Sequence, residues 1–271
     1  MPEALGIYRE ERFSPGKIDD DRAIVDVAAA ELRLAGVTVR MAHGDRLPRL
    51  DQPPTMVFAM CQSPGALSWL DEVAERTIVV NHPSAIRACY RTRLVVRLDD
   101  AGVPQPRWTL AEKAPPADLS GGPWLKRGDV HAMEAGDVRR VFSVERWATA
   151  VAEFQDREIH DAIVQRHAEG SVYKFYGVAG DFFRAYGLPA GLESAARDLA
   201  RRAAAALGLE VYGGDGVAAV DGSLTLIDVN DWPSFSRCRD EAGVAIGRHL
   251  LELLRTRETH ESQDSAVRSR T

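Results

Sequence analysis

Asp215, Asp228 and Asn230 are three oxygen-bearing side chains on the two arms of a hairpin that can be read from the residues alone. Residues 217–220 and 224–230 are strand-like and flank Asp221-Gly222, the composition of a type I′ two-residue turn. With that turn Val220 faces Ser223, Val217 faces Leu226 and Asp215 faces Asp228, and side-chain alternation puts Asn230 on the face of Asp228. The rest of that face is apolar: Val217, Ala219, Leu224 and Leu226. Two carboxylates directly opposite each other at the end of a buried face repel. A divalent cation removes the conflict. Carboxylate and amide oxygens without His or Cys suit Mg²⁺, or Mn²⁺ in its place, with phosphate oxygens filling the remaining positions. The plainer alternative is that Asp215 sits in a loop after Gly213-Gly214 and the other two merely end a strand. A three-residue turn would also break this register.

Two lysines extend the same chemistry. Only four of the 34 basic residues are Lys, so a Lys marks a place where a compact ammonium has not drifted to Arg. Lys126 stands near the end of the strand-like run 123–127, and Lys174 sits mid-run in 172–176. After Lys126 comes a loop, 128–136, bounded by Gly128 and Gly136 and carrying His131; such a loop can fold over phosphates and offer them backbone N–H groups. Alone, each lysine reads as a surface residue whose stem snorkels. With an acidic hairpin they compose a nucleoside triphosphate site: cations and Mg²⁺ for the phosphates, apolar walls for the base.

Those groups need a scaffold, and the chain has the material for one. It has 271 residues, 45% of them apolar and 27% charged, with a formal net charge of −6. That is the balance of a globular protein of about two domains. Mild acidity argues against a nucleic-acid partner, and no run of apolar residues is long enough to span a membrane. Three widely spaced cysteines fit neither a disulfide framework nor a zinc motif, so a cytoplasmic location is expected. Residues 1–101 alternate short apolar strands with amphipathic helices, which predicts an α/β domain with a doubly wound parallel sheet of about four strands. It contains no GxGxxG and no Walker A sequence. The Gly102-Val103-Pro104 stop places a boundary after residue 101. Longer strands with hairpin signals then predict an α+β domain over 102–254, in two subdomains of about 102–168 and 169–254. Residues 255–271 are polar and aperiodic and read as a disordered tail.

The ordered set of motifs resembles the ATP-grasp superfamily from about Asn81 to Leu254. Asn81-His82-Pro83 is similar to the segment preceding the grasp domain, and Arg91-Thr92-Arg93 with Ala101-Gly102-Val103-Pro104-Gln105-Pro106 to the "RDK…AGIPxP" run, with Arg93 in place of Lys. Lys126 matches the first ATP lysine, and 163–170 the hinge whose backbone pairs with adenine. The resemblance implies ATP contacts from Arg93, Lys126, Gln165, Arg166, His167, Glu169 and Lys174, and Mg²⁺ on Asp215, Asp228 and Asn230. Arg166-His167 stands where the family often has Glu-Phe.

Within that superfamily two chemistries compete. Members resembling RimK and glutathione synthetase phosphorylate a carboxylate, and an amine or thiol attacks the acyl phosphate. The inositol trisphosphate kinases transfer phosphate to a hydroxyl, and His131-Ala132-Met133 with Lys174 is similar to their pattern. The ligase is the favoured expectation, with Lys174, His131 and Arg184 at the chemistry and His131, Ser234, Ser236, Arg237 and Arg239 toward a small-molecule or peptide substrate. An ATP-binding regulatory protein without turnover is a third class, disfavoured by the complete Lys126 and metal set. A homo-oligomer is compatible with all three.

Overall fold

The computed structural model describes residues 2–112, 114–130 and 133–268. The chain divides into two compact units. Met1–Pro83, Val178–Phe182 and Trp232–Thr271 form the first, and Ser84–Gly177 with Phe183–Asp231 form the second.

The first unit begins as the sequence predicts. Strands β1 (Glu3–Tyr8), β2 (Thr38–His43), β3 (Met56–Ala59) and β4 (Ile78–Val80) make a parallel sheet in the order β2-β1-β3-β4, with helices α1 (Ile18–Leu34) and α2 (Pro64–Ala74) as connections. The chain steps one way from β1 to β2 and the other way from β3 to β4. Right-handed crossovers therefore put α1 and α2 on opposite faces. α1 buries Ile24, Val25, Ala28, Ala29 and Leu32, a helical stripe, and Gly36 at φ +86° follows its end. α2 starts with Ser63, whose hydroxyl accepts from the Ala66 N–H, and with Pro64 in the first turn.

The second unit opens with two helices, α3 (Pro83–Ala88) and α4 (Arg91–Asp100). Strands β5 (Trp108–Leu110), β6 (Trp124–Arg127), β7 (Val138–Arg140) and β8 (Ala162–Gln165) form an antiparallel sheet in the order β5-β8-β6-β7, backed by α5 (Val144–Asp156). Leu125, Val141, Trp147, Ala150, Phe154 and Val164 are its core. Strands β9 (Ser171–Val178), β10 (Phe182–Tyr186), β11 (Val211–Ala218) and β12 (Leu224–Asp231) form another sheet, ordered β10-β9-β11-β12, and α6 (Glu193–Leu207) runs between β10 and β11. The first unit resumes after β12 and carries α7 (Arg239–Arg268), which packs on α1.

Two boundaries differ from the sequence reading. The first unit ends at Pro83 rather than 101, because Leu94 and Leu98 of α4 join the core built by Leu199, Leu207 and Leu226. The Val103-Pro104 stop ends a helix, not a domain. At the other end, α7 continues through 255–268 where a disordered tail was expected. Thr256 and Thr259 donate to the carbonyls of Glu252 and Arg255, four residues back, so polar composition here accompanies helix rather than excluding it. Among the described residues, no helix is long and apolar enough to cross a membrane.

Gly213-Gly214 lies within β11, not in a loop, and its glycines have a packing cause. A Cβ on Gly214 would stand 2.3 Å from the Asp228 carbonyl and 2.7 Å from the Phe175 ring; one on Gly216 would stand 2.3 Å from the Tyr173 ring. The aromatic rings of β9 occupy the volume that side chains of β11 would need. Gly214→Ala is therefore expected to lower unfolding stability by about 1–3 kcal/mol, read as a shift in the urea midpoint with an unchanged slope.

Candidate functional site

The β11–β12 hairpin carries the expected acidic pair, but by a different route. Its turn has three residues, 220–222. The Ala219 N–H donates to the Ser223 carbonyl at 2.9 Å, the Gly222 N–H to the Ala219 carbonyl at 3.0 Å, and Gly222 sits at φ +84°. This is a type I turn followed by a left-handed glycine. Val217 accordingly pairs with Thr225, not Leu226, and Ala218 with Leu224. The two-residue turn is thus corrected. Its consequence for the site is cancelled by a β-bulge: Gly216 pairs with Leu226 while Asp215 pairs with Asp228, so Ile227 has no partner in the register.

The bulge also changes which way the side chains point. Without it Leu226 and Asp228 would share a face. With it Leu226 and Val229 enter the hydrophobic core, while the consecutive Ile227 and Asp228 both line a cavity of about 400 Å³. Arg91, Trp124, Lys126, Gln165, Asp215 and Asp228 are the polar groups of that cavity that face one another across the two sheets, with Val138, Val172 and Val217 as apolar wall.

Lys126 is the most constrained of them. It is 7% exposed; its ammonium donates to Gln165 Oε1 at 2.6 Å and to the carbonyl of Ile227, the bulged residue, at 3.1 Å. Burial pushes its pKa down to about 8; Asp228 and Asp215 oppose that drop and Arg91 adds to it. The carboxylates are not left to repel. Asp228 is paired with Arg91 Nη2 at 3.1 Å, and Asp215 with Lys174 Nζ at 2.8 Å. Two protein cations thus resolve the conflict from which a metal was inferred. Among the described residues no group of three or more His, Cys, Asp or Glu is placed to hold a metal ion. Asn230 lies across from Gly213 on the ladder.

The hinge contributes differently from the expectation. The Arg166 N–H is already given to the Arg107 carbonyl at 2.8 Å, while its side chain is exposed at the cavity. The Trp124 indole N–H donates to His167 Nδ1 at 3.1 Å, and the other ring nitrogen lies 3.4 Å from Glu169. Glu169 is itself exposed. Below Lys126, the glycine loop is tied at both ends: the Gly128 N–H donates to Asp161, and the Met133 and Glu134 N–H groups donate to the fully buried Asp137 carboxylate, which also meets Arg157 at 2.7 Å. These bonds hold the Asp137 pKa down against its burial.

Arg93 and Arg184 are not among the residues lining the cavity. Arg93 is exposed and lies over the Tyr90 ring, away from the cavity lining; two residues along a helix is a turn of about 200°, and Arg91 occupies the inward position. Arg184 is exposed on β10, with Nη1 on the Phe183 carbonyl. Ser234, Ser236, Arg237 and Arg239 belong to the first unit, where Arg239 pairs with Asp20. His131 lies outside the described residues. Arg91 and Trp124 were missed. The signal for Arg91 was present: it shares the stripe of Leu94, Val95 and Leu98, a charge at an apolar position.

No family model matches the sequence, and no curated protein matches it. Solved structures do. D-cycloserine synthetase DcsG superposes with a TM-score of 0.67 at 15% identity, covering 93% of this chain and 99% of that one. D-alanine–D-alanine ligase from Bacillus anthracis, complexed with ATP, gives 0.69 at 11% identity over 96% and 100%, and the Coxiella burnetii D-alanine–D-alanine ligase 0.69 at 13% over 99% and 98%. These neighbours are ATP-grasp enzymes. The chain has their fold. Neither a RimK-like nor an inositol-kinase-like subgroup is distinguished by that likeness.

The buried Lys126, its pKa pushed down to about 8, makes a pH prediction. An anion in the cavity needs the ammonium protonated, so the affinity of inorganic triphosphate is expected to fall above pH 8, toward about tenfold per pH unit, in calorimetric titrations. The sign for stability is opposite. The folded pKa of about 8 lies below the ordinary 10.5, so the unfolded chain binds the proton more tightly and stability rises with pH between the two. Lys126→Met removes both dependences.

Proposed function

We propose that the chain is an ATP-dependent ligase that joins a small carboxylate to an amine through an acyl phosphate. The observation that carries this reading is the placement of Lys126, Asp215 and Asp228 on one cavity in a fold shared with D-alanine–D-alanine ligases and D-cycloserine synthetase. Lys126 binds phosphate oxygens, and its bonds to Gln165 and Ile227 aim it without neutralising it. Trp124, Val138, Val172 and Val217 supply the apolar wall for adenine, and the 166–169 hinge its polar edge. In-line phosphoryl transfer asks the protein mainly for positioning and charge neutralisation, and these residues supply both.

The oxygen donors suit Mg²⁺. Asp215 and Asp228 are direct partners across the ladder, Asn230 adds a carboxamide oxygen, and its own partner, Gly213, has no side chain to fill the space between. When bound, Mg²⁺ neutralises phosphate charge. Lys174 and Arg91 each pair with one of the two carboxylates and hold it in place. Of the kinase-like features, His131 and Ala132 lie outside the described residues, and the pairing of Lys174 with Asp215 serves either chemistry.

The chemistry is tested by the fate of the phosphoryl group. ADP release is expected to depend on a carboxylic acid, and hydroxylamine in place of the amine is expected to trap a hydroxamate. ADP release that tracks an alcohol and leaves a hydroxylamine-resistant phosphoester overturns the ligase and installs a kinase. Asp228→Asn is expected to weaken Mg²⁺ dependence by about 10–100-fold. It also strips Arg91 of its charged partner, so unfolding stability falls by about 1–3 kcal/mol.

A further inference from the structure

Asp137 follows directly on the glycine loop 128–136, and its carboxylate is fully buried. Oδ2 accepts from the Met133 N–H at 2.7 Å and the Glu134 N–H at 3.1 Å, and Oδ1 from Arg157 Nη2 at 2.7 Å. Arg127 Nη1 lies 3.9 Å from Oδ2, while the rest of that guanidinium forks onto Asp129, Nε to Oδ1 at 2.5 Å and Nη2 to Oδ2 at 3.0 Å. From the C-terminal end of α5, Arg157 also reaches Glu134, at 3.6 Å. One network thus grips both arms of the loop, Asp129 on the first and Glu134 with Asp137 on the second. Stability alone does not account for it, because a buried ion pair is generally worth no more than packed apolar side chains of the same volume. Its place on the ladder does. Lys126 of β6 pairs with Val138 of β7, and both line the cavity. Arg127 and Asp137 are the adjoining residues on the two arms, and strand alternation turns their side chains to the opposite face. The network is the reverse side of the cavity lysine.

We propose that Asp137 is a positioning residue for nucleotide: through Arg127 and Arg157 it sets the two arms of the glycine loop at a fixed separation and Val138 against Lys126. This rests on the ATP reading above. Asp137 acts before nucleotide arrives. Arms that are already ordered lose little conformational freedom on binding, so the phosphates are held at a lower entropic cost. Asparagine in its place still offers an oxygen to the Met133 and Glu134 N–H groups, but sets an uncharged amide against two guanidiniums. The consequence is selective. The loop adjoins the phosphate lysine, so the triphosphate depends on its arms, whereas the base rests on Trp124, Val172 and the 166–169 hinge.

The test uses the full chain as wild type, Asp137→Asn, Arg157→Gln, the double variant and Arg157→Lys. ATP with Mg²⁺ and adenosine alone are titrated calorimetrically, and neither measurement needs turnover. Asp137→Asn and Arg157→Gln are each expected to lose at least about tenfold in ATP affinity while adenosine affinity stays within about twofold. The double variant is expected to lose no more than the worse single one, since both substitutions break the same contact. Arg157→Lys, which keeps the charge but not the fork, should recover part of the loss. A merely structural role would lower both affinities together or add the two losses, and either result overturns the proposal while sparing the ATP reading. A folded Arg157→Gln with wild-type ATP affinity overturns it too. That holds even if Asp137→Asn does not fold, because Arg157 is the partly exposed member of the pair. Wild type that binds no ATP overturns the ATP reading itself.

Discussion

One extra residue in β12 determines what the cavity contains. Ile227 stands outside the β11–β12 register, and this single offset sends Leu226 and Val229 into the core while presenting Ile227 and Asp228 side by side on the opposite face. It also supplies the Ile227 carbonyl to which Lys126 donates. An unbulged strand would set Asp228 on the same side as Leu226, so that one of the two would be misplaced at a cost of several kcal/mol for an ion in the core. The carboxylate pair, the lysine and the adjoining hydrophobic cluster therefore depend on one local irregularity.

The second constraint is charge. Asp215 and Asp228 face each other at a separation where like charges repel, and each is matched by its own cation, Lys174 and Arg91. Lys126, buried like Arg91, donates to two neutral acceptors, and burial lowers its pKa to about 8. The pairs that fix geometry are made, and the cation left without a carboxylate of its own is the one held by Gln165 and a main-chain carbonyl.

The coarse architecture was legible because it rests on periodicity. The parallel sheet of the first unit, strand β6 with Lys126, strand β9 with Lys174 and helix α6 all follow from alternation or helical spacing and from glycine stops. The acidic pair was legible through two compensating departures: a three-residue turn shifted the register by one, and the bulge at Ile227 shifted it back. Neither is written in the residue types, since Val220-Asp221-Gly222 supports either turn. Arg93 was chosen over Arg91 because motif spacing was followed where helix phase decides. The domain limits failed for a related reason: a helix stop at Gly102 is local, whereas membership of a core depends on Leu94 and Leu98 meeting residues a hundred positions later. What the sequence conceals is long-range pairing, not element type.

The first unit is discontinuous, and this orders events during synthesis. Arg9 ties β1 to both ends of its own unit, donating to the Met60 carbonyl and Asp21 and, across the chain, to the carbonyl of Trp232. Arg257 of α7 donates likewise to the carbonyls of Thr55 and Arg76. α1 packs on α7, where Gly243 and Gly247 sit against Val27 and Glu31 with no room for a Cβ. A ribosome delivers α1 more than two hundred residues before that partner. The second unit has all its strands once residue 231 has emerged, whereas the first is complete only when α7 follows.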